Sequence, residues 1–282
     1  MMANIPSFIL NNGTKIPALG IGCWMGSPGG SERVYQMCLE ALKCGYRHFD
    51  TAAGYGNEVE VGCAIRDSGI PRDEIYLTTK LLNSGHRRVK EAFEESLKKL
   101  DVGYIDLYLM TGPKVKSFLH LLREVVGPEE HPTSIETWKA MEQLLQTSKV
   151  KTIGVSNFSI KTLEHLLPHS YCDAKNILLT AYSPLGGQGT FFAEDTTVQA
   201  LAQKLDTSPA QIVIRWAVQR GTIAIPKSEN KERMRTNISL VPLSAEDMKS
   251  LLPFHDESLR VYGWTYEQLG WNMVLGGVVP AA

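Results

Sequence analysis

A regular alternation of short apolar strands with amphipathic helices restricts this chain's fold more than any other feature. GIGCW (20–24), YRHFD (46–50), EIYLTTK (74–80), YIDLYLM (104–110), KTIGVSN (151–157), ILLTAYS (177–183) and TIAIP (222–226) read as strands. Helical periodicity fills the intervals at 31–42 (Ser31 as cap), 58–65, 89–100, 134–146 and 160–167, and continues at 197–205, 209–219, from Asn230 and at 245–252. Ahead of the alternation, SFIL-NNG-TKIPAL reads as a hairpin turning at Asn12-Gly13.

Strands separated by helices must run parallel, joined by crossovers. The units recur about every 25–35 residues without a break, and eight of them need roughly 250 residues, the size of a (β/α)8 TIM barrel. Residues 1–282 are therefore expected to form a single barrel domain, opened by a β-hairpin. The strand count falls short of eight: seven follow the hairpin, ending near Trp24, Asp50, Lys80, Met110, Val155, Ala181 and Pro226. Only the nine residues 168–176 separate the helix at 160–167 from the next strand, too few for another strand and helix. The expected barrel is one strand-helix unit short.

Charge narrows the function. Lys and Arg total 29 against 30 Asp and Glu, a net charge of −1, which disfavours a nucleic-acid or anionic-membrane binder. No apolar run reaches transmembrane length, and residues 1–20 lack a basic start followed by an apolar stretch. The five cysteines include no C-x-x-C pair, which reads as reduced thiols in a cytoplasmic protein. The histidines show no metal-ligand spacing.

Barrel enzymes keep their chemistry at the carboxyl ends of the strands. Asp50 ends the second strand, with Tyr55 in the loop beyond; Lys80 ends the third, and the fourth runs into Thr111. A lone Asp-Thr is often a helix cap, a lone Lys a solvated end and a buried Tyr ordinary core. Three such groups at consecutive strand ends favour chemistry: an ammonium beside a tyrosine lowers the phenol pKa, and a carboxylate holds the ammonium charged and aimed. Such a Tyr can protonate a carbonyl oxygen. In IPKSENKERMRTN (225–237), the last strand delivers Lys227 and Ser228 to a helix start, with Arg233 one to two turns on. Barrels commonly bind phosphate there, the bland alternative being a charged surface helix. Gly20 and Gly22 imitate a dinucleotide fingerprint, but Met25 stands where its third glycine belongs.

The segments GYRHFDTAAGYGNE (45–58), YLTTK (76–80), YIDLYLM (104–110), KVKTIGVSNF (149–158), LLTAYSPLG (178–186) and IPKS (225–228) resemble the aldo-keto reductases over about residues 5–250. The resemblance implies a barrel that binds NADPH, with NADH as a second option, and reduces an aldehyde or ketone, a small-molecule carbonyl substrate. It implies Tyr55 as proton donor tuned by Asp50 and Lys80, with Trp24, Tyr55 and Thr111 facing substrate. On the cofactor it implies Ser156 and Asn157 at the carboxamide, Tyr182 stacked on the ring, and Ser183 and Leu185 at the pyrophosphate. Lys227, Ser228 and Arg233 would hold the 2′-phosphate and Asn237 the adenine, with Gly22, Cys23 and Asp50 also on the cofactor side. A monomer is the family default.

Four departures stand out. Thr111 replaces the family's His, which predicts slower turnover or altered substrate choice. A segment of roughly 20–30 residues, about one strand-helix unit, is missing between Ser170 and Tyr171. Glu229 sets a carboxylate beside the 2′-phosphate position, and Thr236 stands where a Glu is expected. The alternative reading is therefore a catalytically impaired barrel that binds cofactor or a partner without efficient turnover. Substrate choice is expected to depend on the loop 112–133 and the tail 254–282, which carries Trp264, Tyr266 and Trp271.

Overall fold

A computed structural model of the chain describes residues 5–112, 131–158, 177–186 and 191–251. The expected helix 160–167, most of the loop 112–133 and the tail 254–282 lie outside the described residues. The hairpin is present as β1 (Ser7–Ile9) paired antiparallel with β2 (Lys15–Pro17). The Asn12 side chain accepts from the Thr14 N–H at 3.0 Å, an Asx turn of the kind that Asn-Gly sequences favour.

Five parallel strands follow in the spatial order of the chain: β3 (Ile21–Gly22), β4 (His48–Asp50), β5 (Tyr76–Lys80), β6 (Ile105–Thr111) and β7 (Val150–Ser156). β8 (Thr180–Tyr182) and β9 (Ile223–Ile225) form a parallel pair. A bridge between Leu19 and Ala224 sets β9 beside β3, where the Gly20 N–H donates to Ala224 O at 2.9 Å and the Ala224 N–H to Ala18 O at 3.0 Å. The strands thus follow one another as β8-β9-β3-β4-β5-β6-β7, and among the described residues no ladder joins β7 to β8. That seam falls where the sequence lacks room for a strand.

The helices are α1 (Glu32–Cys44), α2 (Glu58–Asp67), α3 (Val89–Leu100), α4 (Ser134–Leu144), α5 (Phe191–Glu194), α6 (Thr196–Lys204), α7 (Pro209–Gln219), α8 (Lys231–Ile238) and α9 (Ala245–Ser250). The short α5 was not expected from the sequence. Capping boxes start α4 (Thr133 with Glu136), α7 (Ser208 with Gln211) and α9 (Ser244 with Asp247), each satisfying otherwise orphaned N–H groups. Ser31 occupies the N-cap of α1 as expected, but its hydroxyl makes no capping bond.

The main core lies between strands and helices, with Val34, Met37 and Cys38 of α1 in one buried cluster with Phe49, Leu77 and Tyr108. A second cluster closes the amino ends of the strands: Ile16 of the hairpin packs with Tyr76, Ile223 and Ile225. Beside it, the buried Asp106 carboxylate accepts from Arg72 at 2.7 Å and from the Leu77 N–H at 3.0 Å, and lies 3.3 Å from the Lys151 ammonium. That network ties β5, β6 and β7 together at one end and leaves the carboxyl ends to carry the site.

Candidate active site

Parallel pairing sets Asp50 level with Thr78, two residues before Lys80 on β5. The Lys80 ammonium therefore reaches Asp50 Oδ1 at 2.5 Å and the Thr51 carbonyl at 2.8 Å. Both side chains are buried, so removing either partner would leave an uncompensated charge, a loss of about 3–5 kcal/mol. Burial pulls against the charge on Lys80, but Asp50 and then Tyr55 outweigh it and hold the ammonium protonated above the ordinary lysine range.

Tyr55 ends a 3-10 turn, Ala53–Tyr55, that leads from β4 into α2. Its ring centroid is 5.0 Å from Lys80 Nζ. The phenol pKa is raised, contrary to the lowering expected from the sequence. Burial raises it, and the neighbouring Lys80 only partly offsets that effect. The group is thus a protonated phenol beside a fixed cation, an acid able to release a proton onto an oxygen that is gaining negative charge.

Asn57, not singled out from the sequence, locks this turn. It accepts from the Thr51 hydroxyl at 2.7 Å and donates to the Cys23 carbonyl at 2.8 Å, pinning the loops after β3 and β4 together. Its position inside GYGNE was visible, but nothing in that motif assigns it a bonding partner. Trp24 stands at the mouth, 39% exposed, its ring 5.0 Å from that of Tyr55. Tyr182 stands at the end of β8, 50% exposed.

Thr111 ends β6 with its hydroxyl already bonded. Its hydroxyl donates to the Leu81 carbonyl at 2.6 Å, with Asn83 Oδ1 a longer alternative at 3.3 Å, so its single proton is spent on the neighbouring loop. Gly22 and Cys23 are likewise committed. The Gly22 N–H donates to Pro226 O at 3.1 Å and the Cys23 N–H to Asp50 O at 2.9 Å, while the Cys23 side chain is buried. A Cβ on Gly22 would sit 3.1 Å from Ile225 O, tighter than ordinary contact, so the residue serves the strand junction.

Ser156 ends β7 opposite Thr111, and Asn157 follows it. Asn157 takes a left-handed backbone, φ 60, which Asn tolerates better than most residues. Among the described residues its buried Oδ1 accepts no hydrogen bond, an orphaned acceptor suited to an amide N–H donor. β8 leads into a turn closed by the Gly186 N–H on Ser183 O at 2.9 Å, and Leu185 packs against the main core. Past β9, Lys227 is partly exposed, Ser228 is buried, Arg233 is exposed on α8 and Asn237 is buried on the same helix. Among the described residues no group of His, Cys, Asp and Glu could hold a metal, and no helix is long and apolar enough to cross a membrane.

Comparison with known proteins agrees with this geometry. The sequence model of the Aldo/keto reductase family matches residues 18–173 and 164–253, two stretches that overlap around the point where the sequence lacks a strand-helix unit. A glycerol 2-dehydrogenase (NADP(+)) of Saccharomyces cerevisiae is 37% identical over 278 aligned residues, spanning 86% of this chain and 88% of the yeast protein. The aldehyde reductase YPR1 of the same yeast is 36% identical, with the same coverage. A crystal structure of an aldo/keto reductase from Brucella melitensis superposes with a TM-score of 0.76 at 36% identity, covering 89% of this chain and 99% of that one. A parallel array of seven strands among the described residues, with Asp, Tyr and Lys at one mouth, and these relatives along most of its length, place the chain in the aldo-keto reductase family of nicotinamide-dependent oxidoreductases, on the (β/α)8 barrel fold.

Proposed function

We propose that this chain, as a single barrel domain over residues 1–282, reduces an aldehyde or ketone to an alcohol with NADPH, Tyr55 giving the proton. The observation that carries the reading is the buried line Asp50, Lys80, Tyr55: a protonated phenol held against a cation that a carboxylate fixes in place. The nicotinamide, when bound, supplies the hydride. Tyr55 donates its proton to the carbonyl oxygen as negative charge builds there, and Lys80 stabilises the phenolate left behind. Asp50 keeps Lys80 oriented, and solvent restores the phenol proton through the open mouth.

The residues present fit the cofactor. The orphaned Asn157 Oδ1 would accept from the nicotinamide carboxamide, with Ser156 beside it, and the half-exposed Tyr182 offers a ring face for stacking. Lys227, Ser228 and Arg233 would hold the 2′-phosphate, the Ser183 turn and Leu185 the pyrophosphate, and Asn237 the adenine. The free thiols of Cys23, Cys38, Cys44 and Cys63 suit a reducing cytoplasm.

The test is Tyr55→Phe, which should abolish turnover of aldehydes and ketones while NADPH affinity, read by tryptophan fluorescence quenching, stays within about twofold. Retained turnover would remove Tyr55 from the donor role. The spent hydroxyl of Thr111 supports a second reading, slow turnover for want of a donor at the fourth strand end. Thr111→His should then raise kcat or change its pH profile. An unchanged kcat and profile would count against that reading.

A further inference from the structure

The phosphate end of the barrel is occupied by one of the chain's own anions. Lys227 follows β9, and the Ser228 hydroxyl accepts from the Asn230 N–H at 3.1 Å. Asn230 in turn caps α8 by accepting from the Arg233 N–H at 2.9 Å. Glu229 points back across this turn. Its Oε1 accepts from the Lys227 ammonium and from Arg33 Nη2 at 3.0 Å, and its Oε2 from Arg33 Nε at 3.0 Å and Nη2 at 2.8 Å. Arg33 lies in the first turn of α1, 196 residues away in sequence. It reaches Glu229 because β9 neighbours β3, which sets the starts of α1 and α8 side by side.

The other cations here are also matched. Lys231 pairs with Glu40 at 2.7 Å and Arg235 with Glu232 at 2.9 Å. Among the described residues Arg233 has no carboxylate partner. A dianion arriving at this turn thus meets Arg233, unpaired among those residues, and Lys227, already neutralised.

We infer that Glu229 is an internal stand-in for the 2′-phosphate, seated on Lys227, and that Arg33 is the cation onto which it withdraws when a 2′-phosphate binds. The inference rests on the dinucleotide reading above and adds to it a residue that sets NADPH against NADH. Lys227 and then Arg33 hold the Glu229 carboxyl below its ordinary range, so it is ionised at neutral pH. Its side chain is 31% exposed and that of Arg33 69%, so the contacts are wet, individually weak and free to exchange. Bidentate pairing gives the carboxylate a complete partner in Arg33 alone, so leaving Lys227 does not strand a charge. The chain therefore gives up part of the affinity that a 2′-phosphate would otherwise draw from Lys227, while an unphosphorylated ribose meets no such competition.

Calorimetric titration of the full chain with adenosine 2′,5′-bisphosphate and with AMP tests this, beside fluorescence titration with NADPH and NADH. Glu229→Gln should bind the bisphosphate about tenfold tighter, leave AMP unchanged, and raise the NADPH-to-NADH affinity ratio by a similar factor. Arg33→Ala should weaken bisphosphate binding in the native background and have no effect once Glu229→Gln is present. An unchanged bisphosphate-to-AMP ratio in Glu229→Gln would reduce the cluster to a surface ion pair. Loss on Arg33→Ala in both backgrounds would make Arg33 a direct phosphate ligand and overturn its role as the retreat. If no nucleotide binds the native chain or either variant, the dinucleotide reading itself fails, an outcome separate from intact binding with an unmoved ratio.

Discussion

His48 stands on β4, 1% exposed, with Nε2 3.1 Å from the Thr78 hydroxyl. Burial lowers its pKa from 6.5 to about 4, with Asp50 offsetting only part of the effect. The unfolded chain binds a proton below pH 6.5 that the folded chain refuses until about pH 4, so this group costs stability as pH falls through that window. Between pH 7.5 and 5 the native chain should lose about 2 kcal/mol of unfolding free energy that His48→Gln does not. Urea denaturation at the two pH values measures it, and equal losses would place the linkage elsewhere. At this scale the sequence was legible where a residue's position fixes its surroundings. Asp50 and Lys80 meet because they end adjacent strands, and strand ends can be read from periodicity. The Thr111 hydroxyl was not legible, since its direction depends on a carbonyl thirty residues away. The sign of the Tyr55 shift was missed for a similar reason. Neighbouring charge shows in a motif, but burial depends on the loops that cover it.

Helix α2 approaches α3 as closely as backbone permits. A Cβ on Gly62 would stand 1.9 Å from the Leu100 carbonyl oxygen, the same atom to which Arg66 donates at 2.6 Å. Gly62→Ala must push the helices apart or tilt α2, and should cost about 1–3 kcal/mol, read as a lower urea midpoint with an unchanged slope. The catalytic turn lies at the amino end of α2, held by Asn57, so turnover per folded molecule should survive; a proportional fall in kcat would mean that the α2–α3 distance sets the position of Tyr55. Element boundaries were readable where amphipathic periodicity was long, as in α3 at 89–100, or where a cap marked the start, as at Ser31. Most of the strands were read too long, because apolar character continues past the last ladder bond: 177–183 shrinks to Thr180–Tyr182. The strands read at 104–110 and 151–157 keep their length and shift by one residue. The four-residue α5 is too short to carry a period.

The order of strands around the molecule makes the β7–β8 seam its weak side. β5 and β6 have a partner on each flank, whereas β7 has only β6 and β8 only β9 among the described residues. An unpaired edge presents free N–H and C=O groups and cannot shield the row of side chains behind it. Near the seam Leu179 is 50% exposed, and Leu107 and Leu109 of β6 are only partly covered. The missing unit was legible as nine residues where a strand and helix would not fit, but its effect on exposure follows only from which strands become neighbours. Local opening should therefore begin at this seam. Hydrogen–deuterium exchange should show the amides of β8 exchanging at least about 100-fold faster than those of β5 and β6, with β7 between them. Protection of β8 equal to that of β5 would mean that another segment of the chain closes the ring at this seam, and that the barrel replaces its lost strand rather than working around the gap.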